Sequence, residues 1–227
     1  EQGYALVNCD LRGAGTSDGT GTLLSAQEGE DIADLVEWAA TQPWSTGSVA
    51  LVGVSYLALS QWNGASKQPP SLKAIVPWEG FTDPYRGLLR PGGFPEVGFL
   101  KLWAQGMKGT RQTYSLLDAC LERPLLDDWW KALTPDLAKI EVPALVCGSF
   151  SDNNLHSRGS VDGFERISST HRHLYTHRSG KWATFYADDA KAAQLQFLDR
   201  HLRGREVPSL PTVRLECDFV AVSRHGD

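Results

Sequence analysis

The chain has 227 residues, of which 41% are hydrophobic and 22% charged, a composition typical of a soluble globular domain with a sizeable core. Its net charge of −5 and the lack of any run of Lys and Arg argue against a nucleic-acid surface. No apolar stretch approaches the roughly 20 residues that a membrane span needs, and we expect a cytoplasmic protein with free thiols at Cys9, Cys120, Cys147 and Cys217.

The first third of the chain alternates strand-like and helix-like segments. Residues 4–9 form a continuous apolar run typical of a strand buried on both faces, and a glycine-rich turn follows it. Apolar residues at helical spacing, with acidic residues in the first turn, predict a helix over residues 28–39. A strand, a helix and a second strand are then expected over residues 49–54, 57–65 and 72–76. This alternation predicts a parallel sheet with right-handed crossovers.

The pattern changes over residues 82–140, which contain helical stretches and no strand-like run. We expect this block to form a helical cap over the carboxyl edge of the sheet. Alternation then resumes with strands over 144–147 and 173–176 and helices over 159–167 and 187–202. We therefore predict an α/β core over residues 1–81 and 141–206, a cap insertion over 82–140, and the start of a truncated C-terminal β domain over 207–227, in a chain that is incomplete at both ends.

Ser55 lies where an apolar strand meets a helix-like segment, within Gly53-Val54-Ser55-Tyr56. A strand–Gly-x-Ser–helix sequence is typical of a nucleophile elbow, although the usual second glycine is replaced by Leu57. The elbow predicts that Ser55 is an acyl-transfer nucleophile and that the backbone N–H of Tyr56 is an oxyanion donor. The alternative is an ordinary strand end.

Two residues that could complete a catalytic triad with Ser55 follow later strands. Asp152 comes after the strand at 144–147, and His177 closes the strand at 173–176. Taken singly, they could be a turn residue and a strand-end histidine. However, ligands bind at the carboxyl ends of parallel strands, and the chain order Ser, Asp, His is that of the α/β-hydrolases. We therefore predict a triad in which His177 is the general base and Asp152 orients it.

Short motifs of a recognisable kind are spread over nearly the whole chain: Asp10-x-Arg12-Gly13-x-Gly15-x-Ser17-Asp18-Gly19, Gln42-Pro43-Trp44-Ser45, Gly53-x-Ser55-Tyr56, Glu79-Gly80-Phe81-x-Asp83-x-Tyr85-Arg86, Gly148-x-x-x-Asp152 and Phe197-Leu198-Asp199. In these motifs the chain resembles the cocaine esterase / X-Pro dipeptidyl-peptidase (CocE/NonD) family of serine hydrolases. The resemblance implies an α/β-hydrolase fold, Ser55 as nucleophile and Asp152 as acid. It also implies a second oxyanion donor, a tyrosine upstream of Tyr4.

The resemblance offers more than one position for the histidine. The best-known family members have it in Gly-Pro-Trp-Ser-His, which places Thr184 at the histidine position. Another branch resembles Leu174-Tyr175-Thr176-His177, so His177 is favoured over His173, His171 or a lost base. We expect His156 to face the helix behind it, and His201 and His225 to lie too far along the chain.

The predicted activity is hydrolysis of esters or amides through an acyl-enzyme. Two alternatives stay open: X-Pro dipeptidyl-peptidase activity, and an inactive binding module of the same fold. We expect a small-molecule or peptide substrate and no cofactor, metal, nucleic acid or membrane partner, while a homo-oligomer stays open. Four tryptophans could line the substrate pocket or belong to the core: Trp78, Trp103, Trp129 and Trp130. Three charged residues after the strand at 72–76 could form an ion-pair cluster or contact substrate: Glu79, Asp83 and Arg86.

Overall fold

A computed structural model of the chain describes residues 2–152 and 155–217. Its sheet consists of parallel strands in the spatial order β1-β2-β3-β4-β5. The strands are β1 (Val49–Val54), β2 (Leu72–Trp78), β3 (Ala144–Ser149), β4 (Arg172–His177) and β5 (Val213–Arg214). The predicted α/β fold with a parallel sheet is confirmed.

Helices join the strands and cover the sheet. They are α1 (Ala26–Ala40), α2 (Tyr56–Ala65), α3 (Gly98–Gly106), α4 (Leu116–Glu122), α5 (Asp128–Ala132), α6 (Ser157–Arg166), α7 (Lys181–Phe185) and α8 (Asp188–Arg203). None of the helices in the described part of the chain is both long and apolar enough to span a membrane.

Side chains that alternate along the strands build a core on each face of the sheet. Ile75 of β2 packs in one buried cluster with Val36 of α1 and Trp62 of α2. Its neighbour Val76 points the other way and packs in a second cluster with Phe197 of α8. The sheet is therefore sandwiched between helices, and its strand ends are held in fixed positions.

The segment between β2 and β3 is helical, as expected. Its helices α3, α4 and α5 contribute Leu100, Leu116 and Trp130 to a third buried cluster. That cluster also contains Leu24 and Phe81, which lie next to the carboxyl ends of the strands. The helical segment therefore packs over the sheet edge where ligands bind in this architecture. The boundaries proposed for the core and the cap stay a prediction.

One expectation about local structure is wrong, and one helix was not predicted. Residues 4–9 form no strand, and Leu6 is 92% exposed. A strand needs a hydrogen-bonded neighbour, and within the described residues none lies beside this segment. Helix α7 was not predicted, because five residues are too few to show a helical period. Within the expected β domain, strand β5 (Val213–Arg214) pairs with β4 of the main sheet. Residues 218–227, which include His225, lie outside the described residues.

Candidate active site

Ser55 occupies a strained turn between β1 and α2. Its backbone angles are φ 60° and ψ −119°, a combination that non-glycine residues rarely adopt. Its N–H donates to the carbonyl of Trp78 on the neighbouring strand at 3.0 Å. The geometry is that of a nucleophile elbow, in which the serine hydroxyl stands clear of the sheet.

Gly53 is required because the elbow is tightly folded. A Cβ at residue 53 would overlap Cβ of Leu57 and lie 3.2 Å from the Leu57 carbonyl oxygen. Gln61 also fixes α2 to the sheet: its amide donates to the carbonyl of Leu57, and its Oε1 accepts from the N–H of Val76 at 2.9 Å. The elbow is therefore held by packing on one side and by a buried amide on the other.

His156 is the histidine that the structure places beside Ser55. Its Nε2 lies 3.4 Å from the Ser55 Oγ, and its Nδ1 is hydrogen-bonded to Oδ2 of Asp152. The ring is 2% exposed and stacks on Phe81, with ring planes 8° apart. Catalytic hydrogen bonds are often this loose without substrate. The three side chains thus have the connectivity of a Ser-His-Asp triad.

The predicted placement of His177 is corrected. Both of its ring nitrogens are engaged elsewhere: Nε2 lies 2.7 Å from Oε1 of Glu79, and Nδ1 lies 3.1 Å from Oγ1 of Thr184. The ring is 1% exposed and packs against Trp78. His177 ends β4 as predicted, but its side chain turns into the core below the sheet edge. His173 likewise contacts the carbonyl of Pro211 rather than Ser55.

The carboxylate of Asp152 has two cationic or hydrogen-bonding partners. Oδ2 contacts His156, and Oδ1 accepts from Nζ of Lys181 at 3.0 Å. Burial acts to raise the pKa of Asp152, but the bonds from His156 and Lys181 outweigh it and hold that pKa below its usual value. Asp152 is therefore ionised at neutral pH and can stabilise an imidazolium.

Tyr56 begins α2, so its backbone N–H has no carbonyl partner in the helix and is available at the elbow. The side chain is anchored by its hydroxyl, which donates to Oε2 of Glu28 at 2.6 Å, and by stacking on Trp103. Glu28 also accepts from the N–H of Leu24. Burial, with a contribution from the Glu28 charge, raises the pKa of Tyr56 well above its ordinary value. This anchor fixes the direction of the Tyr56 N–H.

An apolar pocket opens beside Ser55 and His156. Apolar and aromatic side chains line it: Leu24, Tyr56, Leu59, Phe81, Leu88, Phe99, Trp103 and Leu155. None of the residues that line it is an Asp, Glu, Lys or Arg. The pocket can therefore accept a neutral, hydrophobic group next to the Ser55 hydroxyl.

Of the four tryptophans predicted for the pocket, the structure places Trp103 there. Trp78 is fully buried between Tyr175, His177 and Phe185. Trp130 is also fully buried and donates its Nε1–H to the carbonyl of Arg123. Trp129 packs against Tyr114 and Trp130. Trp78 therefore belongs to the core at the end of β2. Trp130 is buried in the cluster formed by the helical segment, and Trp129 packs against that cluster while partly exposed.

The predicted cluster of Glu79, Asp83 and Arg86 is divided. Arg86 pairs with Asp83 at 2.7 Å near the surface, whereas Glu79 is fully buried with His177. Glu79 belongs to two groups of three side chains whose potential metal-binding atoms lie within 4.8 Å of one another. One group is Glu79, Cys147 and His177, and the other is Glu79, Asp152 and His156. In the first set the imidazole nitrogens are already hydrogen-bonded, and burial raises the pKa of the Cys147 thiol well above its usual value. That donor chemistry fits a packed polar cluster better than a metal site.

Sequence reasoning missed His156 and Lys181. His156 follows Asp152 by four residues and immediately precedes α6, so the Asp-x-x-x-His spacing was the available signal. The expectation that His156 faces the helix behind it is wrong, because its ring lies between Ser55 and Asp152. Lys181 carried no signal, since its approach to Asp152 depends on the short helix α7.

The chain is similar to known proteins in both sequence and fold. Residues 1–119 match the profile of the X-Pro dipeptidyl-peptidase (S15) family. The chain belongs to this family. A cocaine esterase from Rhodococcus sp. is 27% identical over 275 residues, which cover 94% of this chain and 47% of that protein.

Solved structures agree with the family assignment. A CocE/NonD family hydrolase from Staphylococcus aureus is 40% identical, with a TM-score of 0.86, over 89% of this chain and 38% of that one. A Pyrococcus furiosus esterase has a TM-score of 0.57 at 17% identity, over 85% of this chain and 69% of that one, and supports the fold alone. The resemblance to the CocE/NonD family and the α/β-hydrolase fold are thus confirmed. The chain spans about half the length, or less, of the S15-family relatives described here.

Proposed function

We propose that this chain is the catalytic part of a serine hydrolase that cleaves ester or amide bonds through an acyl-enzyme. The observation that carries the proposal is the contact between Ser55 at its strained elbow and His156, which Asp152 orients. The proposed base is His156, in place of the His177 expected from the sequence. Membership of the X-Pro dipeptidyl-peptidase family, together with the similarity to a cocaine esterase, supports the same reaction class.

The reaction follows from the positions of these groups. Nε2 of His156 takes the Ser55 proton while Oγ attacks the acyl carbonyl, and the carbonyl oxygen becomes an oxyanion facing the N–H of Tyr56. The imidazolium, stabilised by Asp152, then gives its proton to the leaving alkoxide or amine. Water repeats the sequence on the acyl-enzyme, releasing the acid and restoring the Ser55 hydroxyl.

The pocket favours a substrate with a neutral, apolar acyl part. Its walls next to Ser55 are aliphatic and aromatic. An X-Pro dipeptidyl-peptidase must also bind a positively charged α-amino group, which requires an acidic partner. One candidate is Glu28, whose Oε2 accepts from Tyr56 and Leu24. Its Oε1 has no hydrogen-bond partner among the described residues but is buried, and the whole residue is only 6% exposed, so the carboxylate is enclosed rather than open to a substrate amine. Ester hydrolysis is therefore the first candidate, and the family name keeps the peptidase as the second.

A fluorophosphonate probe tests the reaction class in the full-length protein. We expect it to label Ser55 and to leave the Ser55→Ala variant unlabelled. Ser60→Ala is a matched control, because Ser60 lies further along α2 and its hydroxyl donates to the carbonyl of Leu57. Absence of labelling in the folded wild type would favour the binding module. Comparing a p-nitrophenyl ester of an apolar acid with a Gly-Pro anilide separates esterase from peptidase, and faster turnover of the anilide would overturn the substrate assignment.

A further inference from the structure

Lys181 is a charged residue at the triad that the reaction above does not use. It is the first residue of α7, and its side chain is only 17% exposed. Its ammonium donates to Oδ1 of Asp152 at 3.0 Å, while the other carboxylate oxygen contacts His156. The two oxygens of Asp152 are therefore divided between the imidazole and Lys181, which fixes the rotation of the carboxylate.

The ammonium also lies beside the imidazole itself. Nζ of Lys181 is 3.1 Å from Nδ1 of His156. When Nδ1 carries the proton that it donates to Asp152, both atoms are donors and no hydrogen bond joins them. What remains is a positive charge next to the ring, which disfavours addition of a second proton at Nε2.

The charges facing His156 come from three elements. Asp152 follows β3, Glu79 follows β2, and Lys181 begins α7; the carboxylates of Asp152 and Glu79 both lie within 4.8 Å of the imidazole. Negative charge at these two carboxylates favours the imidazolium over the neutral ring. Among the residues that the structure describes, Lys181 supplies a positive charge in contact with the ring that opposes this effect.

We propose that Lys181 is a positioning residue of the triad: it holds Asp152 against His156 and keeps His156 working as a base at lower pH than it otherwise would. This inference rests on the proposed serine hydrolase function. The lowered pKa of Asp152, to which Lys181 contributes after His156, agrees with it.

The test is the pH dependence of kcat/KM for an apolar p-nitrophenyl ester, measured on the full-length protein and its variants. In the wild type, kcat/KM should decrease as the pH is lowered. In Lys181→Met this decrease should begin at a pH about one unit higher, which is the effect expected for the loss of a charge at this distance. Lys181→Gln keeps a hydrogen-bond donor for Asp152 but removes the charge, so it should shift the pH profile by a similar amount. This variant replaces Lys181→Met in the test if Lys181→Met does not fold. Lys181→Arg keeps the charge and should restore the wild-type profile.

Lys191→Met is the matched control, because Lys191 forms an exposed pair with Asp188 and its loss changes the net charge equally. Its profile should coincide with that of the wild type. A drop in kcat/KM by the same factor at every pH, with no movement of the acid limb, would show a packing role only and overturn the inference. Ser55→Ala separates failure of this inference from failure of the proposed function. If the chain is not a serine hydrolase that uses Ser55, Ser55→Ala will retain wild-type turnover.

Discussion

The elbow predicts a specific coupling between residues 53 and 57. In Gly53→Ala the new Cβ overlaps Cβ of Leu57 and lies 3.2 Å from the Leu57 carbonyl oxygen. Helix α2 must therefore move away from β1. Overpacking of this kind costs about 1–3 kcal/mol of unfolding free energy. Ser55 lies between the two residues, and a displacement of about 1 Å can slow its reaction by about 10²-fold.

Removing the opposing Cβ should reverse part of this loss. Leu57 is 58% exposed, so Leu57→Gly alone should cost about 1 kcal/mol, the usual helix penalty for glycine. In the double variant the contact between the two Cβ atoms is gone while the carbonyl contact remains. We therefore expect a favourable coupling of about 1–2 kcal/mol between the two changes.

Urea unfolding and the rate of Ser55 labelling by a fluorophosphonate measure this cycle. Leu57→Ala is the control, because it removes the exposed part of the side chain but keeps the Cβ that causes the overlap. It should give no rescue of Gly53→Ala. Equal rescue by Ala and Gly at residue 57, or a harmless Gly53→Ala, would refute the argument that this close approach shapes the elbow.

Three other predictions concern the pocket, the Tyr56 anchor and acid stability. Trp103→Ala should raise KM for an apolar ester more than for an acetyl ester, because Trp103 lines the pocket beside Ser55; equal changes in KM would contradict this. Tyr56→Phe should lower the unfolding free energy by about 1–3 kcal/mol in urea titrations, because it leaves the buried Glu28 carboxylate with one fewer donor; an unchanged midpoint would contradict it. Burial, with nearby positive groups, lowers the pKa of His201 from 6.5 to about 4, so its contribution to stability is present above pH 6.5 and lost as pH falls towards 4. His201→Gln should therefore show a smaller fall in urea midpoint across that window, and an identical fall would refute the assignment.

The sequence predicted the parts of the fold that depend on local pattern. Hydrophobic runs and helical spacing identified β1 to β4 and the helices around them. It failed for residues 4–9, because an apolar run becomes a strand only when another strand pairs with it. It also failed for α7, which is too short for periodicity to show.

The candidate site divides in the same way. Ser55 and Asp152 could be found from the sequence, because each comes within three residues of the end of a strand and the fold places that strand end on the sheet edge. The histidine could not, because both His156 and His177 lie near the carboxyl ends of the strands. Which imidazole reaches Ser55 depends on side-chain packing: Glu79 and Thr184 hold His177 in the core, and Phe81 supports His156.

The most direct measurement compares His156→Ala and His177→Ala by the rate of fluorophosphonate labelling of Ser55, normalised to the folded fraction from circular dichroism. With His156 as base, His156→Ala should slow labelling by about 10²–10⁴-fold. His177→Ala should lower stability by about 3–5 kcal/mol by leaving Glu79 buried without its partner, but label at nearly the wild-type rate per folded molecule. Normal labelling of folded His156→Ala, with loss of labelling in folded His177→Ala, would contradict the account.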